Sequence, residues 1–264
     1  MNISRLIEQR ENLDLLWWSS VTPFVNRGVM PVPMPFSLTF VVTKRCNSRC
    51  TMCNIWNSNE RDELSLEEVR RIFTDNDFTS LTSLTLTGGE PTLRKDLPEL
   101  LKIIIDACPY LRQVTLATSG LNTNRTIELV KACLNVISLN DTVKHFTVQV
   151  SLDGVGELHD RIRGIPGYFK RVMLTLQLMK DLVGENKKLA IKLSSTIQPS
   201  NVEAVDETLA FAKELGLPIR FGALVFSSSY YKNAGSSNLN YTLEQANQAS
   251  AFFPNLLMKN LDRM

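Results

Sequence analysis

Three cysteines fall within eight positions, in the run Cys46-Asn-Ser-Arg-Cys50-Thr-Met-Cys53. Soft thiolates gathered in one short loop suit an iron-sulfur cluster. Three of them hold three irons of a [4Fe-4S] cube, and the fourth iron, with no cysteine in the segment, stays open to an outside ligand. Such a cluster is a reactive site rather than only an electron carrier. The alternatives are a zinc site or three structural thiols. Zinc needs a fourth ligand and usually pairs such a knuckle with a second one, and this chain has only His145 and His159 to offer. Cys108 and Cys133 stand apart, each among apolar neighbours, and read as core thiols.

Two further segments could recognise a ligand. Gly88-Gly89-Glu90-Pro91 lacks Cβ atoms at two successive positions, so a ligand can approach the backbone closely. Carbonyl dipoles beside a carboxylate suit an ammonium group; the plain alternative is a turn. Ser151-Leu-Asp153-Gly154, followed by His159-Asp160-Arg161-Ile-Arg163-Gly164, offers a hydroxyl, a carboxylate and a guanidinium. Together these suit a ribose and an amino-acid carboxylate, the latter through an Arg fork. An ordinary Asp-Gly turn with a solvated arginine is the alternative there.

The elements that must position these residues alternate along the chain. Strands are expected at 37–43, 84–87, 114–118, 146–152, 190–197 and 219–226. Helices are expected at 65–73, 97–108, 126–134, 169–182, 202–215 and 243–253. Ser65 and Glu68 form a capping box, Asp96 is the expected N-cap of the second helix with Pro98 in its first turn, and Ser200 with Glu203 introduces the fifth, closed by Gly216. Strands alternating with helices give a parallel sheet with right-handed crossovers, either an open doubly wound sheet or a partial barrel. In both, ligands gather at the C-terminal ends of strands, where all three segments lie.

The chain has 264 residues, with 29 Lys and Arg against 27 Asp and Glu, so its net charge of +2 gives no footprint for nucleic acid or an anionic membrane. Hydrophobic residues make up 44% and charged residues 21%, which excludes a disordered, collagenous or coiled-coil chain. No apolar stretch approaches the ~20 residues that span a bilayer. Glu8, Glu11 and Asp14 interrupt any signal-peptide core, and a cytoplasmic protein is expected. Residues 1–36, with Trp17, Trp18 and the prolines at 31, 33 and 35, are expected to form a short helical extension on the flank of a domain spanning 37–264.

Together these motifs resemble the radical S-adenosylmethionine (radical SAM) superfamily. The CxxxCxxC spacing with Met52 before the last cysteine is its hallmark, and GGEP and SLDG…HD.IRG look like the branch of molybdenum-cofactor cyclisation enzymes and peptide or sulfatase maturases. The resemblance covers about residues 37–226. It implies a (β/α)6 partial TIM barrel and a [4Fe-4S] cluster on Cys46, Cys50 and Cys53. It also implies that SAM, bound at the open iron, is cleaved to a 5′-deoxyadenosyl radical that abstracts hydrogen from an unidentified organic substrate. An external one-electron donor of the flavodoxin or ferredoxin type is implied as well. By the same resemblance, the backbone at Met52 lies against adenine, and Gly88, Gly89 and Glu90 meet the SAM ammonium. Ser151 and Asp153 contact ribose or carboxylate, and Arg163 the carboxylate, with Arg161 as its competitor. Ile197 packs on adenine, Asn201 matches an Asn often seen there, and Ser119-Gly120 stands where relatives often carry Asn-Gly. The alternative function is an iron-sulfur or electron-transfer protein that does not cleave SAM.

The chain departs from the maturase pattern in having no cysteine after Cys133. Either one cluster serves it, or a C-terminal part is absent from it. With one cluster, substrate selectivity is expected from the sixth strand and the polar stretch after it, around Arg220, Ser227 to Tyr231 and Lys232.

Overall fold

The computed structural model describes residues 22–23, 26–29, 34–58, 63–74 and 78–261, with side chains up to 252. Met1–Pro35 and Phe36–Met264 form two separate compact units. The helical reading of the segment around Trp17 and Trp18 lies outside the described residues.

The second unit contains six strands: β1 (Ser37–Thr43), β2 (Ser83–Gly88), β3 (Gln113–Thr118), β4 (His145–Ser151), β5 (Leu189–Ile197) and β6 (Ile219–Ala223). Its helices are α1 (Leu66–Thr74), α2 (Leu97–Ala107), α3 (Thr123–Ser138), α4 (Glu157–Arg163), α5 (Tyr168–Glu185), α6 (Val205–Glu214) and α7 (Leu243–Leu261). Every strand pair is parallel and the spatial order follows the chain, β1 to β6. That order never reverses, so the sheet has no topological switch point. Same-handed crossovers that always step in one direction put the helices on one face and curl the sheet into a (β/α)6 partial barrel, which decides between the two architectures left open by the sequence.

Each strand alternates. Leu84, Leu86, Val114, Leu116, Phe146, Val148, Ile191 and Leu193 are buried in one core with Leu100, Leu101, Ile104, Val130 and Val172 from the helices. Cys108 and Cys133 belong to that core as expected, both fully buried. The residues between them on the strands point the other way, into the barrel, because successive side chains of a strand face opposite sides. That inner face carries Thr85, Thr115, Thr147, Gln149, Ser194 and Thr196, all half-buried.

Local chemistry explains the start of α1 but not those of α2 and α6. At α1 the Ser65 amide and hydroxyl both donate to the Glu68 carboxylate at 2.8 Å, and the Glu68 amide donates back to Ser65 Oγ at 3.3 Å, the reciprocal cap expected. Asp96 does not cap α2 with its side chain. Its carboxylate is taken by Arg94, whose Nε lies 3.0 Å from Asp96 Oδ1. Only 2% exposed, Arg94 also donates to the carbonyls of Val42 (2.9 Å) and Leu64 (2.7 Å), fastening β1 to the α1 approach. The Ser200–Glu203 start of the fifth predicted helix is also replaced. A short 3-10 turn, Val202–Ala204, precedes α6, and Asn201 occupies the cap position with no capping bond.

Candidate functional site

The cysteine loop follows β1 and is zipped to the end of α4. Arg49 N donates to the Arg163 carbonyl (3.1 Å) and Thr51 N to the Ile162 carbonyl (2.8 Å). Gly164 makes that approach possible. Its φ of +72° ends α4 in the left-handed region, and a Cβ there would run into the Arg49 carbonyl. Cys46, Cys50 and Cys53 are all free and half-buried. Burial pushes each thiol up, Cys46 to about 11, and the charge of Cys50 adds to the rise of both its neighbours. Donors already face two of the sulfurs: Ser48 N lies 3.5 Å from Cys46 Sγ, and Arg163 Nη1 lies 3.6 Å from Cys50 Sγ.

Three free thiols that feel one another's charge, backed by N–H donors and beside the apolar Met52, Ile162 and Leu239, fit a thiolate-held cluster. Among the described residues, no group of three or more His, Cys, Asp or Glu is placed to hold a metal ion. A cube takes one thiolate per iron, so its ligands stand further apart than those of a single ion.

The glycines after β2 are there for close approach. Gly89 N donates to the Thr43 carbonyl and Glu90 N to the Arg45 carbonyl, both at 2.8 Å. A Cβ on Gly89 would run into the Arg45 carbonyl and Cys46, and one on Gly88 into the Thr43 carbonyl. The Gly-Gly pair therefore lies directly against the cysteine loop. The Glu90 side chain, 1% exposed, is held from inside the protein. Its Oε1 accepts from Thr92 N (3.1 Å) and Thr118 Oγ1 (2.8 Å), and its Oε2 from Ser119 N (2.8 Å). Glu90 thus ties the β2 end to the Ser119-Gly120 turn after β3, where Gly120 has a φ of +71°.

The segment after β4 contains α4, a seven-residue helix the sequence pattern did not reveal. It assigns a separate task to each residue of the motif. Asp153, fully buried, accepts from Thr196 N at its Oδ1 (2.8 Å) and pairs through Oδ2 with Arg163 Nη2 (2.6 Å). His159 Nδ1 accepts from Asp153 N at 3.2 Å; burial foremost, then the Arg163 charge, lowers its pKa to about 3, so the ring is neutral. Asp160 caps α5, accepting from Gly167 N and Phe169 N, each at 2.6 Å. Arg163 lies between Asp153 and Cys50. Burial works against its charge, but Asp153 and then Cys50 outweigh this and hold it protonated. Its Nε is buried without a partner among the described residues. Arg161 is exposed. Ser151 closes β4 on the inner face, level with Ser194 of β5.

Asn201 joins two strand ends. Its Nδ2 donates to the carbonyls of Asp153 and Thr196, both at 2.9 Å, and its Oδ1 accepts from Gln198 N at 2.8 Å. Ile197 turns to the helix side and packs with Val202, Val205 and Phe221; at 1% exposure it offers a ligand almost no surface.

The polar stretch after β6 folds back over the cysteine loop, which no local pattern announced. Asn233 Nδ2 donates to the Met52 carbonyl (2.8 Å), and Asn54 N and Nδ2 donate to the carbonyls of Tyr231 (2.8 Å) and Lys232 (3.0 Å). Tyr230 OH donates to the Gly88 carbonyl at 2.9 Å. The Met52 carbonyl therefore already accepts one hydrogen bond and keeps a second lone pair.

The sequence as a whole places this arrangement. The family model of the Radical SAM superfamily matches residues 40–212, well over half of the chain. The chain belongs to the radical SAM superfamily. Among curated members, it is 28% identical over 189 residues to the sporulation killing factor maturation protein SkfB of Bacillus subtilis, covering 71% of this chain and 42% of that one. It is 30% identical over 186 residues to the AdoMet-dependent heme synthase of Methanosarcina barkeri, covering 69% and 48%. The chain thus spans less than half the length of either relative. Among solved structures, Streptococcus suis SuiB bound to S-adenosylmethionine superposes with a TM-score of 0.61 at 15% identity, covering 86% of this chain and 48% of that one. Native anSMEcpe with bound AdoMet gives 0.62 at 18% identity, covering 87% and 62%. At those identities the likeness is one of radical SAM fold. Among the described residues no helix is long and apolar enough to cross a membrane.

Proposed function

We propose that this chain is a radical SAM enzyme that holds a [4Fe-4S] cluster on Cys46, Cys50 and Cys53 and binds SAM beside it. Bound there, the cluster would supply the single electron that cleaves SAM to methionine and a 5′-deoxyadenosyl radical able to take one hydrogen atom from an organic substrate. The electron comes from an external donor of the flavodoxin or ferredoxin type, and the oxygen-sensitive thiols suit the reducing cytoplasm.

The observation that carries this reading is Arg163, a buried guanidinium with its charge braced by Asp153 at 2.6 Å, its Nη1 3.6 Å from Cys50 Sγ, and its Nε unpaired. A free donor on a fixed cation next to a cluster thiol suits the SAM carboxylate, which favours Arg163 over the exposed Arg161. Ser151 and the Asp153 loop lie toward the ribose. The backbone of Gly88 and Gly89, with the Glu90 charge behind it, faces the ammonium, and Met52 with the β5 end at Ile197 flanks the adenine. Calorimetry on anaerobically reconstituted protein tests this. SAM should bind one per chain, and Arg163→Met should weaken it about tenfold or more, the worth of a charge-assisted contact of roughly 1.5–3 kcal/mol. Undiminished SAM binding by that variant refutes the assignment.

A further inference from the structure

The inner wall of the barrel carries charge of one sign. None of the six strands contains an Asp or a Glu, and besides Val41 and the His145 imidazole the uncharged inward residues are hydroxyls, amides and small groups. Two neighbouring strands break that neutrality: Lys192 on β5 and Arg220 on β6. Both occupy inward positions, since their flanking residues Ile191, Leu193 and Phe221 pack against the helices. Lys192 is half-buried, Arg220 exposed at the open edge, and neither side chain has a hydrogen bond or ion pair among the described residues.

The register fixes where they stand. Ser151 is level with Ser194, and Ser194 with Arg220, so Arg220 shares a row with Ser151 two strands away, about 10 Å at the usual strand spacing. Gln149 is level with Lys192, one inward row deeper. The two cations therefore lie diagonally on adjacent strands, with Lys192 four residues before Thr196, whose amide donates to Asp153. Elsewhere in the unit, buried cations are matched from within: Arg163 by Asp153 and Arg94 by Asp96. The unmatched pair faces the inner side of the barrel, on the face opposite the helices.

We infer that Lys192 and Arg220 form a subsite for an anionic oxygen group of the substrate, a carboxylate or a phosphate. This rests on the radical SAM reading for the word substrate, but the anion subsite itself is testable without it. The reacting C–H of such a substrate would lie between this pair and the Ser151 side of the mouth, and the anion would hold it there while the inner hydroxyls and amides leave its neutral parts free to fit.

Calorimetric titration of the cluster-loaded, SAM-supplemented protein at low ionic strength, with succinate and separately with inorganic phosphate, tests the subsite. At least one probe should bind. Lys192→Gln and Arg220→Gln should each weaken it about tenfold, and the double variant more, while Lys213→Gln, an exposed cation on α6, should bind as wild type does. Melting temperature and iron content confirm that each variant is folded. Binding of succinate alone assigns a carboxylate, and of phosphate alone a phosphate. If neither probe binds the wild type, or if the variants bind as it does, the pair is a solvated surface feature and the inference is overturned. A wild type that yields no 5′-deoxyadenosine yet binds a probe through these two residues loses the radical SAM reading and keeps the subsite.

Discussion

Glu90→Gln separates the two jobs assigned to that side chain. The carboxylate is 1% exposed and accepts three hydrogen bonds, two from main-chain amides (Thr92 and Ser119) and one from the Thr118 hydroxyl. Glutamine has the same shape but only one oxygen. If its NH2 takes the Oε2 position, it faces the Ser119 N–H; if it takes the Oε1 position, it faces the Thr92 N–H. Either way one buried amide donor loses its acceptor, and the loss of a hydrogen bond to a charged group is about 1.5–3 kcal/mol. At roughly 2–4 °C per kcal/mol for a domain somewhat smaller than this one, the melting temperature should fall by about 3–12 °C. The lost negative charge behind the Gly-Gly backbone should also raise the SAM dissociation constant about ten- to hundredfold. Differential scanning calorimetry of the apoprotein and SAM titration of the reconstituted protein read the two effects separately. A lowered melting temperature with unchanged SAM affinity would make Glu90 purely a brace between β2 and β3. If both stay at wild-type values, the hydrogen-bond accounting itself is refuted.

Three further expectations follow from the same geometry. Cys50→Ala should abolish the cluster, since two thiolates hold a cube poorly, whereas Cys108→Ala and Cys133→Ala, at fully buried core positions, should keep about four irons per chain by iron and sulfide analysis. Arg94→Met should strand the carbonyls of Val42 and Leu64 and leave Asp96 unpaired, lowering stability by about 3–5 kcal/mol in denaturant titration; a loss below ~1 kcal/mol would show that water replaces the guanidinium. Burial opposes ionisation of Asp96, but the hydrogen bond and charge of Arg94 outweigh it and hold the carboxyl below its usual value. Its stabilising share is therefore present above about pH 4 and is lost as pH falls through the lower folded value, so wild type should lose more stability between about pH 4 and 2 than Asp96→Asn does.

The strands and the motifs at their ends were legible because β-branched runs, Gly-Gly and Asp-Gly turns are local signals. What the sequence hid was non-local. No local signal marks Arg94, whose partners Val42 and Leu64 lie on distant segments. That pairing drew Asp96 away from the cap its position suggested. The seven residues of α4 are too few, and too charged, to show a helical period. Asn233 and Tyr230 reach Met52 and Gly88 across more than 140 residues, which only the closed fold brings together. The expected sixth strand ran to 226 but ends at Ala223, opposite Ile197, where β5 itself stops; Val225 and Phe226 continue beyond the last neighbour available for pairing and are exposed. Ile197 sat at the right strand end for a ligand, but strand alternation turns its side chain to the helices.

The most direct test of the central claim is product analysis of anaerobically reconstituted protein, reduced with dithionite in the presence of SAM. 5′-Deoxyadenosine and methionine should appear in equal amounts from the wild type, and neither should form with Cys50→Ala. A wild-type chain that carries about four irons and binds SAM but releases no 5′-deoxyadenosine would contradict the claim.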